Sequence, residues 1–512
     1  MLSDASLSLE KFHMNEVASA IWRLCDGTLT VEQIAEHILS QCEGNRLPRE
    51  KVIADVLQFL ELSQSQGLLS WLEDNSLDVL LVVPPSPSVY DKDAIKTPEY
   101  SSPPLGLCYI AAVLQKHGFR VNVSDLHQKA GNPEDIIENC RRGNPKIVGI
   151  TATTPSYPNA LLLARFVKAW NSDIVTVIGG PHATGLPEQC ALSGVFDYIC
   201  IGEGEQSMLE LVERIIRGKS DKMQVAGFAY LSDGQVKYTK KRERFANLDK
   251  LPLPARDLLE MDTYYQKGAI LSTRGCPIGC DFCACAAIVG NSYRVRNIDS
   301  VLDEIEELRE RYGYNFFDFH DDTFNMRPKR VFDFCSRIKE RKLGINWGCF
   351  CRAAQMTNEM AMAMAGAGCR VIQYGVEAGS DRSLRLLHKK TSTQQVKDAV
   401  RAAANAGIEQ IVCGFIIGHA EDTEEDVRAT IDLGLKLAKL GATRLTLSLL
   451  TPYPGTTVYG ARDELGIELL TDDWEQYTFS RVVMQTRHLK RERLRQLYTE
   501  GIMKFLEATK AS

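Results

Sequence analysis

The chain lacks several features that would assign it to other classes of protein. No stretch approaches the roughly 18 consecutive apolar residues that a membrane span requires. The first residues, MLSDASLSLEK, have neither the basic nor the apolar region of a secretory signal. Acidic residues number 66 against 60 Lys and Arg, and this balance argues against a dedicated binder of nucleic acid or anionic membranes. We therefore expect a cytoplasmic protein with no membrane and no nucleic-acid partner.

Two nucleotide-binding motifs and all repeats are also missing. There is no P-loop, and Gly202-x-Gly204 is not followed by the glycine that a dinucleotide fingerprint requires. No low-complexity tract and no short internal repeat is present. By contrast, the 512 residues include 15 cysteines, which is a high number for a chain with no sign of export. The length predicts about three domains, and reduced thiols are expected, some of them as metal or cluster ligands.

Residues 1–75 are predicted to form a small helical domain. Helical spacing of apolar residues predicts helices from about Asn15 to Cys25, from Thr30 onward, and from about Pro48 to Gln66. The second helix carries Gln33 at the capping-box offset from Thr30. The polar stretch 74–76 indicates a linker to the next domain.

Residues 77–250 change to strands that alternate with helices, which is typical of a parallel, doubly wound sheet. The predicted strands are Asp78–Val83, Arg120–Ser124, Ile147–Ala152, Ile174–Ile178 and Tyr198–Ile201. Ligands of such sheets bind at the carboxyl ends of the strands. Here those ends carry Pro84-Pro85, Thr151 to Thr154, Gly179-Gly180-Pro181-His182 and Gly202-Glu203-Gly204-Glu205. One Gly-Gly pair can equally mark a tight turn, but glycines at two strand ends favour a binding site.

Residues 255–455 contain about six further strand–helix units, and residues 456–512 are expected to form a helical extension. The predicted strands are Ala269–Thr273, Phe316–His320, Trp347–Cys351, Val371–Val376, Gln410–Ile417 and Arg444–Leu450. The predicted helices are Ser300–Tyr312, Pro328–Arg341, Asn358–Ala365, Ser392–Ala406 and Thr423–Leu440. This pattern predicts a parallel barrel or an open partial barrel, whose site lies at the C-terminal ends of the strands.

Three cysteines follow the first barrel strand in the segment Arg274-Gly275-Cys276-Pro277-Ile278-Gly279-Cys280-Asp281-Phe282-Cys283. Three thiolates on one bent loop can converge on a single inorganic centre. An iron–sulfur cubane normally has four cysteine ligands, so three would leave one iron open. A zinc site would need a fourth ligand, such as Cys285 or the distant pair Cys349 and Cys351, and the spacing favours the cluster.

This Cys-x3-Cys-x2-Cys loop, with Phe282 inside it, resembles the radical S-adenosylmethionine (SAM) superfamily. The resemblance implies a 4Fe–4S cluster on Cys276, Cys280 and Cys283, with SAM on the fourth iron. Electron transfer from the cluster then cleaves SAM to a 5′-deoxyadenosyl radical. Asp321-Asp322-Thr323-Phe324, Gly375-Val376-Glu377 and the GxIxGxxE pattern of Gly414 to Glu421 resemble segments that contact SAM. The SAM-binding residues implied are Phe282, Asp322, Arg352, Glu377, Gly414, Gly418 and Glu421. For Arg352, pairing with the SAM carboxylate and an ordinary surface ion pair both remain open.

The doubly wound domain resembles the cobalamin-binding domain of one branch of that superfamily. The segments that carry this resemblance are Pro103-Pro104-Leu105-Gly106, Ile178 to Thr184 and Gly202 to Glu205. In addition, Thr451 to Thr456 resembles the exit segment of the same branch. The implied cobalamin-binding residues are Pro104, Thr151, Thr153, Gly179, Gly180, His182, Gly202, Glu203 and Gly204. Asp125-Leu126-His127 is similar to another cobalamin motif, but position 130 is Ala. We interpret His127 as a surface histidine and expect no histidine ligand below the cobalt.

The first domain resembles the PqqD-like peptide-recognition fold, which is winged-helix-like. The match runs from Met14 to Gly27, through Thr30 to Ile34, and from Asp55 to Leu69. In that family the module captures the leader of a precursor peptide by adding it as a strand to a sheet edge. A helical docking module with no peptide ligand is the alternative.

Together the resemblances imply an α/β protein with three domains: a PqqD-like domain, a Rossmann-like cobalamin domain and a partial (β/α)6 radical SAM barrel. We expect C-methylation of a ribosomally made precursor peptide at an unactivated carbon, with a reductant such as flavodoxin or ferredoxin as a second partner. The alternatives are epimerisation or cross-linking without methyl transfer, and a non-catalytic peptide-binding scaffold. No catalytic residue beyond the cofactor ligands is predicted.

Overall fold

The computed structural model describes residues 21, 24, 31–41, 49–65, 76–86, 102–128, 131–218 and 225–510. The chain divides into two compact units, which are Met1–Ser76 with Asn139–Asn144, and Leu77–Glu138 with Pro145–Ser512. Within the described ranges, every helix is too short or too polar to cross a membrane.

In its N-terminal segment the described part of the first unit consists mainly of two helices, α1 (Val31–Gln41) and α2 (Arg49–Ser65), and residues 139–144 complete the unit. The two helices agree with the second and third helices predicted from the sequence. Their buried faces meet in a small core of Ile21, Ile34, Ala35, Ile38, Val52, Val56 and Leu60. Most of the first predicted helix and the start of the linker lie outside the described residues.

A seven-stranded sheet forms the next domain, in the order β2-β1-β3-β4-β5-β6-β7. Its strands are β1 (Val79–Val83), β2 (Val121–Asp125), β3 (Ile147–Thr151), β4 (Val175–Gly179), β5 (Tyr198–Cys200), β6 (Phe228–Ser232) and β7 (Gln235–Tyr238). Its helices are α3 (Leu105–Lys116), α4 (Asp135–Gly143), α5 (Tyr157–Trp170), α6 (Pro181–Gly185), α7 (Pro187–Leu192) and α8 (Glu205–Ile216). The first five strands are parallel, as predicted, because buried apolar runs such as VLLVV alternate with helices.

The last two strands of this sheet, β6 and β7, are an antiparallel addition that the sequence analysis did not predict. They are joined by Asp233 and Gly234, whose φ angles are 54° and 73°. Two residues with positive φ close a hairpin with the correct twist, and Asp-Gly is a frequent choice there. The signal was therefore present in the sequence.

A six-stranded parallel sheet forms the barrel, in the order β15-β14-β13-β12-β11-β8. The strands are β8 (Ala269–Ile270), β11 (Phe316–Phe319), β12 (Asn346–Cys351), β13 (Cys369–Glu377), β14 (Gln410–Ile417) and β15 (Arg444–Leu449), and β9 (Thr273–Arg274) pairs with β10 (Arg294–Val295) beside them. The helices are α9 (Cys285–Ile288), α10 (Ile298–Tyr312), α11 (Pro328–Glu340), α12 (Asn358–Gly366), α13 (Asp381–Leu386), α14 (Thr393–Asn405) and α15 (Glu424–Lys439). Since β15 and β8 are the two edges of this sheet, the barrel is open, as a partial (β/α)6 barrel requires.

The barrel core is built from aromatic rings and aliphatic side chains that the strands and helices bury together. Phe319 lies 5.7 Å from Trp347 and 5.3 Å from Phe334, measured between ring centroids. Ser392 and Thr423 begin α14 and α15 with complete capping boxes, which fixes where each helix starts. The two helices therefore begin at fixed residues, and this helps to hold the ends of the neighbouring strands in place.

The segment after residue 456 is helical only in part, which corrects the expectation of a helical extension. It contains α16 (Thr457–Gly460), the antiparallel pair β16 (Glu468–Leu469) and β17 (Met484–Gln485), and the long helix α17 (Arg491–Lys510). α17 packs on the barrel, where Phe505 lies 5.4 Å from Phe415 between ring centroids. The apolar face of the final helix was readable, whereas strands of two residues carry no periodic signal.

Candidate functional site

The cysteine loop begins directly after β9 and bends at two glycines. Gly275 has φ of 90°, and a Cβ there would lie 2.8 Å from the Gly290 carbonyl oxygen. Gly279 has φ of 75°. The Cys276 N–H donates to the Gly290 carbonyl at 3.3 Å, and the Cys283 N–H donates to the Cys280 carbonyl at 3.1 Å. The loop conformation thus depends on residues without a side chain at the first bend.

The three thiols of this loop differ in exposure, since Cys276 and Cys280 are half-buried and Cys283 is exposed. The Cys276 sulfur is 3.8 Å from the Thr323 hydroxyl, and the Cys280 sulfur is 4.0 Å from the His388 carbonyl oxygen. Burial raises the pKa of Cys280 to about 11. Three soft thiolate donors on one open loop suit a cubane with a free iron.

A single-ion site finds less support. Among the described residues, no group of three or more His, Cys, Asp or Glu side chains is arranged to hold one metal ion. Cys349 and Cys351, considered above as zinc ligands, are buried in the barrel core with their sulfurs 3.5 Å apart. The donor set therefore fits an iron–sulfur cluster better than zinc.

Two adjacent carboxylates tie the end of β11 to the base of the cysteine loop. Asp321 is buried, and it accepts hydrogen bonds from the Ser272 N–H at 2.7 Å, the Ser272 hydroxyl at 2.6 Å and the Thr273 N–H at 2.8 Å. Asp322 is exposed and accepts from the Gly275 N–H at 2.9 Å. Asp321 is thus structural, whereas Asp322 presents a carboxylate beside the cysteines, where SAM is expected.

An ion pair between Lys389 and Glu377 lies close to Phe282 of the loop. Lys389 donates to Glu377 at 2.8 Å, and its ammonium stands 5.7 Å from the centroid of the Phe282 ring. Burial alone would lower the pKa of Lys389, but the Glu377 carboxylate and the Cys280 thiol outweigh it and the net shift is upward. Glu377 has φ of 72°, an uncommon conformation for a residue with a side chain. The Glu377 carboxylate and the Phe282 ring are thus held close to the cysteines.

Arg352 directly follows β12 and is only 8% exposed, so the surface ion-pair interpretation is wrong. Its N–H donates to the Asn325 side chain at 2.7 Å, and its guanidinium donates to the Lys390 carbonyl. Burial lowers the pKa of Arg352, and the Cys280 and Cys276 thiols oppose that shift. A guanidinium fixed next to two thiols is placed to pair with a carboxylate of a cluster-bound ligand.

The GxIxGxxE segment turns at Gly418, which has φ of 85° and packs against Leu494 of α17. His419 follows and is buried, with neither ring nitrogen hydrogen-bonded, 6.0 Å from the Phe282 ring between centroids. Gly414 has room for a side chain, and Glu421 lies 3.6 Å from His488 at 41% exposure. The unsatisfied polar atoms of His419 fit a site that SAM would complete, whereas Gly414 and Glu421 touch neither the cysteine loop nor Asp322 in the described contacts.

A cavity of about 340 Å³ lies between the doubly wound sheet and the barrel, at the carboxyl ends of β1, β3, β4 and β5. The predicted cobalamin residues that line it are Thr151, Gly179, Gly180, Gly202, Glu203 and Gly204. The barrel side supplies Leu271, Thr273, Arg274, His320, Asp322 and the start of the chain after α9. The wall thus contains Asp322, which also hydrogen-bonds the base of the cysteine loop.

Glycines make this cavity possible. Gly180 has φ of 91°, and a Cβ there would lie 2.7 Å from the Thr151 hydroxyl and 2.9 Å from the Ala152 nitrogen. Gly204 faces Ile110, with 2.9 Å between a built Cβ and the Ile110 side chain. A wall of backbone and apolar side chains, at the strand ends of a doubly wound sheet, fits a large planar cofactor such as cobalamin.

Three of the predicted cobalamin residues do not line the cavity, namely Pro104, Thr153 and His182. His182 is fully buried and stacks on Tyr157 at 4.1 Å between centroids, and its Nε2 lies 3.1 Å from the side-chain oxygen of Gln189, which accepts the hydrogen bond. Burial lowers the pKa of His182 to about 4, so the ring is neutral at pH 7. His127 accepts a hydrogen bond from the Ser86 N–H at 3.2 Å and is likewise absent from the cavity wall.

Glu203 has a role that the sequence analysis missed. Its carboxylate pairs with Arg294 at 2.7 Å and with Arg274 at 3.3 Å, and Arg274 also pairs with Glu205 at 2.7 Å. The four side chains are 4–9% exposed. Glu203 and Glu205 come from the doubly wound domain, and Arg274 directly precedes the cysteine loop. This buried network therefore connects the cavity floor to the loop.

Three family models match the chain, and they cover the three domains. The PqqD model (coenzyme PQQ synthesis protein D) matches residues 6–69, the B12 binding domain residues 92–212, and the radical SAM superfamily residues 270–434. An uncharacterised methyltransferase of Pyrococcus horikoshii is 34% identical over 439 residues, which are 84% of this chain and 92% of that protein. The chain belongs to the cobalamin-binding radical SAM enzymes. As a member, it is an enzyme whose cofactors are a 4Fe–4S cluster, SAM and cobalamin.

The proteins similar to this chain are not all named methyltransferases. An anaerobic magnesium-protoporphyrin IX monomethyl ester cyclase of Rubrivivax gelatinosus is 30% identical over 406 residues, covering 77% of this chain and 71% of that one. The solved structure of the radical SAM methyltransferase TsrM of Kitasatospora setae, with cobalamin and a [4Fe-4S] cluster bound, superposes with a TM-score of 0.67 at 19% identity, over 85% of this chain and 89% of that one. That likeness confirms the predicted fold class.

Proposed function

We propose that this enzyme C-methylates a ribosomally made peptide at an unactivated carbon. The observation that carries the proposal is the shared wall, since Asp322 and Arg274 border the cobalamin cavity and also adjoin the cysteine loop. A substrate carbon between the two sites could meet both cofactors. Relatives named methyltransferases and the PqqD match at residues 6–69 support methyl transfer and a peptide substrate, respectively.

When bound, the cluster with SAM supplies the carbon-radical chemistry and cobalamin supplies the methyl group. The residues that would hold the cluster are Cys276, Cys280 and Cys283. Arg352 would bind the SAM carboxylate, because its guanidinium is held by the Lys390 carbonyl and interacts electrostatically with Cys280 and Cys276. Asp322 would accept from the SAM ammonium with the oxygen that Gly275 leaves free.

Two further implied SAM contacts, the Phe282 ring and the Glu377 carboxylate, share Lys389 as a neighbour. Lys389 holds Glu377, which leaves the second carboxylate oxygen for ribose hydroxyls. Phe282 and His419 would flank the adenine, since both rings are close and His419 has unsatisfied nitrogens. These groups bind and orient, and we assign proton transfer to none of them.

The cavity lining would hold cobalamin through backbone and apolar contacts. Leu107, Ile110, Met208 and Leu271 line it and would keep water from the reacting atoms. His320 ends β11 on the barrel side and is the one histidine in the wall of the described cavity. Burial lowers the pKa of His320, so it would meet the cofactor as a neutral ring.

The test is an anaerobic reaction of the reconstituted holoenzyme with SAM that carries a deuterated methyl group. The candidate substrates are precursor-like peptides encoded beside the gene, each assayed with and without its leader. We expect a peptide product that gains one labelled methyl group, and a loss of rate without the leader. A modified peptide with no gain of methyl mass would refute methyl transfer and favour epimerisation or cross-linking. Equal rates with and without the leader would refute the role proposed for the PqqD-like domain.

A further inference from the structure

Residues 381–390 lie directly against the cysteine loop. The Asp281 N–H donates to the Leu387 carbonyl at 3.4 Å, and His388 Nδ1 lies 2.9 Å from both carboxylate oxygens of Asp281. The Cys280 sulfur is 4.0 Å from the His388 carbonyl oxygen. This segment is therefore the outer neighbour of a proposed cluster ligand.

The backbone of this segment is held in an uncommon conformation. His388 and Lys390 have φ of 51° and 52°, which side-chain-bearing residues seldom adopt. The surroundings fix it, because Arg352 donates to the Lys390 carbonyl and the Lys389 N–H donates to the Leu384 carbonyl at 3.0 Å. The surface above Cys280 is thus rigidly placed.

That surface is basic with an apolar centre. Residues 381–390 contain four Lys or Arg against one Asp. Arg382 pairs with Asp426 at 3.1 Å and Lys389 pairs with Glu377, so both are partly neutralised. Ser383, Leu384 and Leu387 are buried, and the exposed Asp381 carboxylate accepts from the Thr393 N–H at 2.7 Å. We call the other exposed side chains the donor face: Arg385, Leu386, His388 and Lys390. Leu386 is 47% exposed at its middle.

We propose that the donor face docks an acidic protein that delivers single electrons to the cluster. This inference rests on the proposed placement of the cluster on Cys276, Cys280 and Cys283. Opposite charge steers such encounters, and electron-transfer complexes bury little area, so a small patch suffices. The backbone of Leu387 and His388 touches Asp281 and Cys280, so a donor on this face sits one residue layer from the cluster.

The step transfers one electron and changes no covalent bond. A flavin hydroquinone in the donor protein is oxidised to the semiquinone, and the oxidised cluster is reduced by the same electron. The donor then leaves, which salt favours because the contacts are screened.

A second basic stretch provides the competing location. Lys240 and Lys241 are exposed, and Arg244 donates to the Ala287 carbonyl at 3.2 Å in α9. The contact that this stretch makes through Arg244 is with Ala287, which follows the three cysteines in the sequence, whereas the donor face contacts Cys280. The donor face has the shorter connection and an exposed apolar centre, so we assign docking there.

The test uses the holoenzyme and a purified acidic flavodoxin in its hydroquinone form. Cluster reduction is followed by the loss of visible absorbance, and complex formation is measured separately by calorimetry at low and high salt. In R385E/K390E we expect reduction by flavodoxin to slow about tenfold or more at low salt, with the difference shrinking at high salt. Dithionite, which is small and needs no docking, should reduce the variant and the wild type equally.

Three further variants keep the test decisive. K436E/K439E reverses two exposed charges at the end of α15 that lies away from the strand carboxyl ends, and it should behave as wild type. R385K/K390R keeps the charge and should restore the rate. Unchanged reduction in R385E/K390E, or a loss seen in K240E/K241E instead, would overturn the proposal. Because cluster reduction is read directly, absence of a methylated peptide does not affect this result.

Discussion

Replacing Gly180 by Ala should damage the cobalamin cavity more than any comparable glycine change. Gly180 has φ of 91° and ψ of −172°, a region that costs residues with a side chain roughly 1–3 kcal/mol. The new Cβ would also lie 2.7 Å from the Thr151 hydroxyl and 2.9 Å from the Ala152 carbonyl oxygen. Overpacking of this kind costs about 1–3 kcal/mol. We therefore expect a loss of about 2–6 kcal/mol in unfolding free energy and displacement of the cavity floor.

Gly118→Ala is the matched control, because Gly118 has φ of 81° but nothing within 4 Å of a built Cβ. It should lose only the conformational part, about 1–2 kcal/mol. The assays are urea denaturation and the amount of cobalamin retained after desalting, read from its visible spectrum. Gly180→Ala should retain little cobalamin and Gly118→Ala should retain it all. Equal stability and equal cobalamin content in the two variants would refute the reasoning.

Three other changes test the remaining parts of the site. Glu203→Gln removes the charge that faces two buried arginines. It should lower the unfolding free energy, measured by urea denaturation, by about 3 kcal/mol. The control Glu213→Gln, in a pair with Arg217 at the surface, should change it by less than about 0.5 kcal/mol. Cys276→Ala should abolish cluster iron in metal analysis while Cys285→Ala keeps it; unchanged iron in the first variant would contradict the ligand assignment. The pKa of His182 is near 6.5 in the unfolded chain but only about 4 in the folded protein. As the pH falls from 6.5 to 4, the free energy of unfolding should therefore decrease by about 3 kcal/mol. His182→Gln should flatten this dependence in urea titrations at several pH values.

The sequence carried most of the architecture because buried parallel strands are short, continuous apolar runs. Gln410–Ile417 was predicted with the bounds that the structure has, and the helices that begin at Ser392 and Thr423 were marked by their caps. The β6–β7 hairpin was missed, although Asp233-Gly234 is a turn signal. The strands of two residues after position 460 have no period from which they could be predicted.

Within the site, what is local in sequence was predictable and what is distant was not. The cysteines lie in one loop, so their spacing alone predicted them as cluster ligands. The partner of Asp281 is 107 residues away at His388, and Glu203 meets Arg294 across 91 residues. Tertiary packing alone brings these groups together. His182 was predicted to bind cobalamin but is absent from the cavity wall. A histidine that follows a Gly-Gly strand end has the same sequence pattern whether its ring faces a ligand or, as here, stacks on Tyr157.

The network of Glu203 and Glu205 with Arg274 and Arg294 should link the two proposed cofactor sites thermodynamically. Arg274 is part of the cavity wall and is also the last residue before the bend that presents Cys276. A ligand that orders Arg274 in the cavity wall should also order the start of the cysteine loop, and such coupling acts equally in both directions. Filling the cavity should therefore tighten iron binding by the same factor by which the cluster tightens cobalamin. Iron loss in air should then also weaken cobalamin binding by that factor.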